Sequence, residues 1–580
     1  MNWWSFRRVG AWQFCVIVLF LVLSAIQSGK ALHLDDADLP VWAKAVADTG
    51  KPIAYRGQDR VHDLFVYHPP LYVYVLGAWI RVFGYGPEEI RMFGALCALV
   101  FGALLLEFLA ALFGREARNR VSLYFWPFFL LNPYTLQGAS IADIDTTIYG
   151  PLLWGFLLSL ILLLWRDGEP RLKTVRMRQL LIPAGLLFLC FWAKWTSILL
   201  FVPAPFFIML FRYGWKTALR LWVTIFAMGF GLFVITFLAW CSWFGVSYTT
   251  HLHWLVAYHA IGLSSNPIIS YWLTLTDMVP FTLKWTGVTA WVTAIALLAI
   301  SVRAAWKDER ARHFVVFLAI SLGGALLYIM QRHTFGFAPY KYHFVFWGMI
   351  CLALPLLIAS GGRPFNWRVD GAPADGAKPV WRRWYAWSAA GVALAALVGD
   401  WFVQDKDIRA IGPQLTHYMP YWFIAPAAAG IALLVLRSRR AVSGILLALM
   451  LFCVGLQAGV CIFQAKQPYS TTYEYGQEGI EDAAAYIRLM SQPRDVVFCL
   501  KDIGPLTGRR YIDSYDYIYG GPDLTATAIH ALGRWVNIAV FTEGIGEDQL
   551  DVNKDIKRWI NLHCTLMKSI GNYRIYFVSR

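Results

Sequence analysis

The sequence predicts a polytopic α-helical membrane protein, with about thirteen transmembrane helices, interfacial helices in the first external loop, and a small C-terminal α/β extracytoplasmic domain. Three observations predict it. Of 580 residues, 58% are hydrophobic and only 15% are charged, the balance of a chain that meets lipid. Apolar runs approaching the ~20 residues a spanning helix needs recur along most of the length. Lys and Arg gather in alternate loops, as the positive-inside rule requires. The net charge of +15 would suggest nucleic acid in a soluble chain, but here those loops account for it.

Residues 1 to 30 place Arg7 and Arg8 ahead of an apolar core with no small-residue cleavage site after it, so they read as a retained first helix with a cytoplasmic N-terminus. Candidate spans fall near 11–31, 91–113, 121–137, 146–165, 180–194, 197–211, 221–243, 279–301, 313–331, 342–361, 385–402, 421–436 and 441–463. The fifth and sixth are short and form a hairpin interrupted by "WTS". The loops "GREARNR", "RDGEPRLKTVRMR", "RYGWKTALR", "RAAWKDERAR", "GGRPFNWRVDGAPADGAKPVWRR" and "RSRR" are the cytoplasmic set. An odd number of spans then puts the C-terminal tail on the other side, with the first loop.

That first loop, about 32–88, holds a helix at "PVWAKAVADTG" and the apolar "HPPLYVYVLGAWIRVFG". The second stretch is too short to span, and Pro69 and Pro70 suit the start of a helix lying along the interface. Residues 1–464 form the membrane domain and 465–580 the soluble one. In the latter "DVVFCL", "VNIAVF" and "YRIYFVS" read as strands, and "GIEDAAAYIRLM" and "DVNKDIKRWINLHC" as helices. The nine cysteines follow no disulfide or zinc spacing, and Cys97, Cys190, Cys241, Cys351, Cys453 and Cys461 read as small apolar side chains.

Acidic residues mark the external side. In "LHLDDADLP", Asp38 reads as the cap of the helix that begins near Pro40. Asp35 and Asp36 precede that cap at the membrane exit of the first helix. A second pair, Asp143 and Asp145 in "NPYTLQGASIADIDTTIYG", falls at the external start of the fourth span. Carboxylates at bilayer depth cost about 2.5–3.5 kcal/mol to insert, so they face a cavity or a partner. Such pairs suit a general base for an acceptor hydroxyl or amine, or the binding of a divalent cation.

Cations lie on the same side. Lys194 stands inside the apolar "FWAKWTSILL", and Lys341 and His343 open the tenth span in "FAPYKYHFVFWG". Snorkelling to the interface explains Lys341 as readily as function does. Together, acids for proton removal and cations that can hold a phosphate describe a transferase with a lipid-phosphate donor. His68 is a weaker first-loop candidate. His251, His253 and His259 lack the one-face spacing of a metal site. No Gly-rich phosphate loop, G-x-S-x-G or C-x-x-C is present, so ATP-driven and redox chemistry find no support. A transporter or flippase of a lipid-linked precursor would also need intramembrane charges, but the halves show no paired broken helices.

The acidic pair after the first helix, the x-P-P-L-Y element, "GPEEIRMFGAL", "NPYTLQGASIADID", "FWAKWTS" and "PYKYHF" resemble, in that order, elements of the C-fold membrane glycosyltransferases. The resembling branch contains aminoarabinose transferases, protein O-mannosyltransferases and galacturonosyltransferase-like proteins. The resemblance implies an enzyme of the bacterial inner membrane that transfers sugar from a polyprenyl-phosphate donor. The acceptor would be a lipid, glycan or protein on the periplasmic side. It implies Asp35 as base beside Asp36, Asp145 with Asp143 as the second acidic site, and Lys194 and Lys341 at the lipid phosphate. Two positions depart from the family: Asp35-Asp36 replaces the usual Asp-Glu, and Tyr67-His68 replaces the Glu-Lys of many aminoarabinose transferases. The second departure leaves the sugar and any metal unassigned.

Overall fold

Apolar helices dominate the chain, and where they begin and end is set by glycine, proline and capping side chains. A computed structural model describes residues 10–29, 35–55, 62–64, 68–171, 175–195, 198–245, 288–335, 339–360, 479–500, 502–514, 522–543 and 549–579, with isolated positions such as Leu32, Phe365 and parts of 451–462. Within these, the main chain alone is described at 35–38, 53–55, 62–64, 288–289, 292, 327–335, 339–343 and 522–524.

Helix α1 (Ala11–Ser28) leads to α2 (Asp35–Thr49), a short antiparallel hairpin of β1 (Ile53–Tyr55) and β2 (His62–Leu64), and α3 (Leu71–Phe83). The expected first-loop helices are present, with one correction. Helix α2 starts at Asp35 rather than near Pro40, so Asp38 lies within the first turns instead of capping from outside. Acidic residues favour the positive N-terminal end of a helix, and Pro40 forfeits only the bond its amide would have made to the Asp36 carbonyl. Helix α3 is 13 residues, about 20 Å, and starts at the prolines as expected. It packs closely on α2 because a Cβ at Gly77 would come within 2.8 Å of the Ala43 carbonyl oxygen.

Helices α4 (Pro87–Phe113) and α5 (Arg115–Leu130) meet at Gly114, whose positive φ of 90° reverses the chain. The expected third span breaks at Asn132, whose side chain accepts the Tyr134 amide at 2.9 Å and caps α6 (Pro133–Ser140). Next come α7 (Tyr149–Leu164), the small β3 (Trp165–Arg166) and β4 (Glu169–Pro170) hairpin, α8 (Leu181–Ala193), α9 (Ile198–Phe201), α10 (Ala204–Tyr213) and α11 (Trp215–Phe244). Helices α12 (Val288–Ala305), α13 (Glu309–Phe335) and α14 (Pro339–Ala359) complete the described bundle. The expected spans at 385–402 and 421–436 and His251, His253 and His259 lie outside the described residues, as does most of 441–463.

An aromatic layer joins the bundle: Phe108 meets Phe317 at 4.5 Å and Trp154 at 6.0 Å, and Phe101 meets Phe344 at 6.0 Å. Helices α1, α4 and α11 are long and apolar enough to cross a membrane, and the chain is an integral membrane protein. Its basic loops meet one another. Arg115 pairs with Asp167 at 3.0 Å, Arg212 pairs with Glu309 at 2.9 Å, and the ring of Phe365 packs on Phe113 and Phe314. Among the described residues, the first of the six expected basic loops thus meets the second, the third meets the fourth, and Arg310 of the fourth donates to the Phe365 carbonyl of the fifth at 3.5 Å.

The C-terminal region forms a five-stranded sheet in the order β6-β5-β7-β9-β8. The strands are β5 (Val496–Cys499), β6 (Arg510–Asp513), β7 (Ile538–Thr542), β8 (Cys564–Ile570) and β9 (Tyr573–Val578). Strand β5 runs parallel to β6 and β7, and β9 is antiparallel to β7 and β8. Helix α15 (Ile480–Met490) covers the face carrying Val497 and Cys499. Helices α16 (Pro522–Arg534) and α17 (Lys554–His563) cover the face carrying Phe498 and Phe541. The two-residue period of β5 sorts these side chains between layers. The three expected strands and two expected helices all form; β6, β8 and α16 are additions that the sequence pattern does not announce. Edge strand β6 lies beside β1 of the first loop. The expected boundary at 465 is outside the described residues.

Candidate active site

Asp143 and Asp145 do not open a helix, as the sequence suggests. They sit in a buried turn, residues 141–148, between α6 and α7. The turn is built by its own polar groups. The Asp145 amide donates to Asp143 Oδ1 at 3.1 Å, and the Thr146 and Thr147 hydroxyls donate back to the Ile141 and Asp143 carbonyls at 2.8 and 2.5 Å. Short side-chain-to-backbone bonds of this kind replace the helix ladder that a tight, buried turn cannot make.

The Asp145 side chain is fully buried and forms an ion pair with Lys194 Nζ, itself 4% exposed. Lys194 is the first residue past α8, with extended backbone, and its amide still bonds to the Cys190 carbonyl at 2.9 Å. Its own carbonyl accepts the Tyr149 hydroxyl at 3.4 Å, which ties the break after α8 to the start of α7. Sequence reasoning assigns the second acid and this lysine to separate tasks. The fold joins them into one buried pair.

The helix bearing Lys341 and His343 reaches the same place. Phe344 of α14 fills the space above Gly138 of α6, and Trp347 donates to the Thr135 hydroxyl at 2.8 Å. The main chain therefore carries the first turn of α14 beside the helix that feeds the acidic turn. The side chains of Lys341 and His343, like those of Asp35 and Asp36 on the first turn of α2, lie outside the described residues. His68 is half-buried just ahead of α3, in the first-loop layer. Among the described residues, no group of His, Cys, Asp and Glu is placed to hold a metal ion.

One buried cation escapes sequence reasoning. Arg91, 3% exposed in the first turns of α4, donates through Nε to the Ser140 carbonyl at 3.0 Å and through Nη1 to the Ser28 carbonyl at 3.1 Å. Gln27 of α1 donates to the Ser140 hydroxyl at 3.1 Å. A lone arginine near the start of a 27-residue apolar helix is the signal that could have found it.

Against known proteins, no family model and no curated sequence matches this chain. Solved structures do. The chain has the C-fold of integral membrane glycosyltransferases, as the sequence resemblance implied. It superposes on ArnT from Cupriavidus metallidurans bound to undecaprenyl phosphate with a TM-score of 0.57 and 12% identity, over 97% of each chain. The apo state of the same protein gives 0.56 and 11%, over 97% of this chain and 96% of that one. At such identity the likeness concerns fold alone.

Proposed function

We propose that this protein is a membrane glycosyltransferase that moves a sugar from a polyprenyl-phosphate donor onto a lipid, glycan or protein acceptor at the extracytoplasmic face. The observation that carries the reading is the end-to-end match of fold to a structure that holds undecaprenyl phosphate. The arrangement of this chain's charged segments adds support. Two acidic segments and a buried lysine occupy the end of the bundle opposite the joined basic loops, where a donor headgroup would emerge from lipid.

In the proposed reaction Asp35, with Asp36 beside it, removes the proton from the acceptor as that group attacks the anomeric carbon from the side opposite the phosphate. The bond to the phosphate oxygen breaks, configuration inverts, and polyprenyl phosphate leaves with the electron pair. Lys341 and His343 offer positive charge to that leaving group, which would otherwise be an unneutralised anion in an apolar groove, and Lys194 adds to it where the phosphate competes with Asp145 for the ammonium. His68 is a contact to the sugar or acceptor from the first loop. Asp143 and Asp145 hold the second acidic site, and a divalent cation there would supply charge to the same phosphate. The enzyme is placed in the bacterial inner membrane with its N-terminus cytoplasmic. The C-terminal domain, from about residue 465, is placed in the periplasm.

The deciding experiment is mass spectrometry of membrane lipids from cells that lack the protein, compared with cells restored by the native chain or by Asp35→Asn. One polyprenyl-phosphate sugar should accumulate in the deletion and the Asp35→Asn strain and fall on restoration. An unchanged pool in all three sinks the reading and favours a transporter.

A further inference from the structure

Two helix C-termini converge on one guanidinium. Ser28 is the last residue of α1 and Ser140 the last of α6, and their carbonyls are among those left without an intrahelical partner. Arg91 donates to both, from two different nitrogens, in a site from which water is excluded. Its charge also faces the negative ends of two helix dipoles. The junction is reinforced twice: Gln27 bonds to the Ser140 hydroxyl, and Gly94, one turn beyond Arg91, lets the Ala139 carbonyl touch the backbone of α4.

The chain beyond each terminus gives the junction its meaning. From Ser28 it reaches Asp35 and Asp36 within eight positions, and from Ser140 it reaches Asp143 and Asp145 within five. We propose that Arg91 is a positioning residue for sugar transfer, holding the two acidic segments at a fixed separation by capping both helices that deliver them. The proposal rests on the reading of those segments as the transfer site. A lysine could keep the charge but not the planar fork that serves two carbonyls from two directions.

The test uses the full-length protein in lipid nanodiscs, as native chain, Arg91→Lys and Arg91→Met. Amide hydrogen exchange is followed in peptides covering 29–39 and 141–149, with 496–513 of the C-terminal sheet as the internal control. Both test peptides should exchange about tenfold faster in Arg91→Met and by a smaller factor in Arg91→Lys, with the control unchanged. In the same samples, turnover per folded molecule should fall on the order of 10–100-fold while KM for the polyprenyl-phosphate sugar stays within about threefold, the signature of misplaced groups. Should Arg91→Met fail to accumulate, Arg91→Lys carries both measurements.

Unchanged exchange in the two test peptides overturns the proposal. So does faster exchange with undiminished turnover, or a raised KM with turnover intact, which would make Arg91 a substrate contact. If the native chain transfers no sugar from such donors, the proposed function fails, whereas the exchange measurement still reads whether Arg91 holds the two segments.

Discussion

Lys194 and Asp145 form a buried ion pair across the α8 break and the α6–α7 turn, two places 49 residues apart in sequence. Removing one partner of such a pair strands a charge in a low-dielectric site, at a cost of about 3–5 kcal/mol. Lys194→Met and Asp145→Leu should each sharply reduce the yield of folded protein on fluorescence-detected size exclusion. The double variant should recover much of that yield, since two apolar side chains leave no charge behind. A double variant worse than either single one would show that the charges serve stability through other partners.

Asp143 presents a separable case. Its Oδ1 accepts the Asp145 amide, a bond that asparagine can also make. Asp143→Asn should therefore preserve the turn, and Asp143→Ala should lower stability by about 1 kcal/mol. Thermal denaturation followed by tryptophan fluorescence distinguishes them. If Asp143→Asn keeps the native melting temperature but loses sugar transfer, the carboxylate charge has a chemical task beyond the turn.

Glycine tests the packing that brings α4 to α6. A Cβ on Gly94 would run into the Ala139 carbonyl oxygen, which is backbone and cannot rotate aside, whereas a Cβ on Gly185 meets nothing within 4 Å. Gly94→Ala should lower the melting temperature by several degrees. Gly185→Ala should leave it unchanged or raise it, because alanine stabilises a helix interior by about 0.5–1 kcal/mol relative to glycine. Equal effects at the two sites would refute the close approach.

In the C-terminal domain, thiol reactivity tracks burial and charge. Burial, with Asp502 and Asp513 adding to it, holds the Cys499 thiol well above its ordinary range, and burial pushes Cys564 up to about 11. A raised thiol pKa means less thiolate at any pH below it, and thiolate is the reactive form. At pH 8, iodoacetamide should label Cys564 roughly a hundredfold more slowly than a free thiol, and Cys499 more slowly still. Raising the pH toward 11 should accelerate Cys564. Rapid labelling of native protein at pH 8, read by peptide mass spectrometry, would contradict this.

The bundle is legible in the sequence because lipid imposes a pattern that any reader can find: long apolar runs and basic loops on alternate turns. Period-two alternation exposes β5, β7 and β9. It does not expose β8, an edge strand whose residues are largely open to solvent and so carry no buried stripe, or β6, whose "RYID" has only Ile512 buried. At the site, residue type announces Asp145 and Lys194 as costly at bilayer depth. Their pairing is not visible, since it depends on how a turn after α6 meets a break after α8. Arg91 is hidden for a related reason. Two of its partners are the carbonyls of Ser28 and Ser140, and the carbonyl of a helix end has no sequence signature of its own.

Strand β1 finds its neighbour β6 only after about 450 further residues have been made. The first loop is made early and waits through the synthesis of every later helix before the strand beside it exists. A chain cut short before Arg510 can therefore form its helical bundle and still leave the hairpin of β1 and β2 uncovered. Strand β6 acts, in this sense, as a late lock on the first loop.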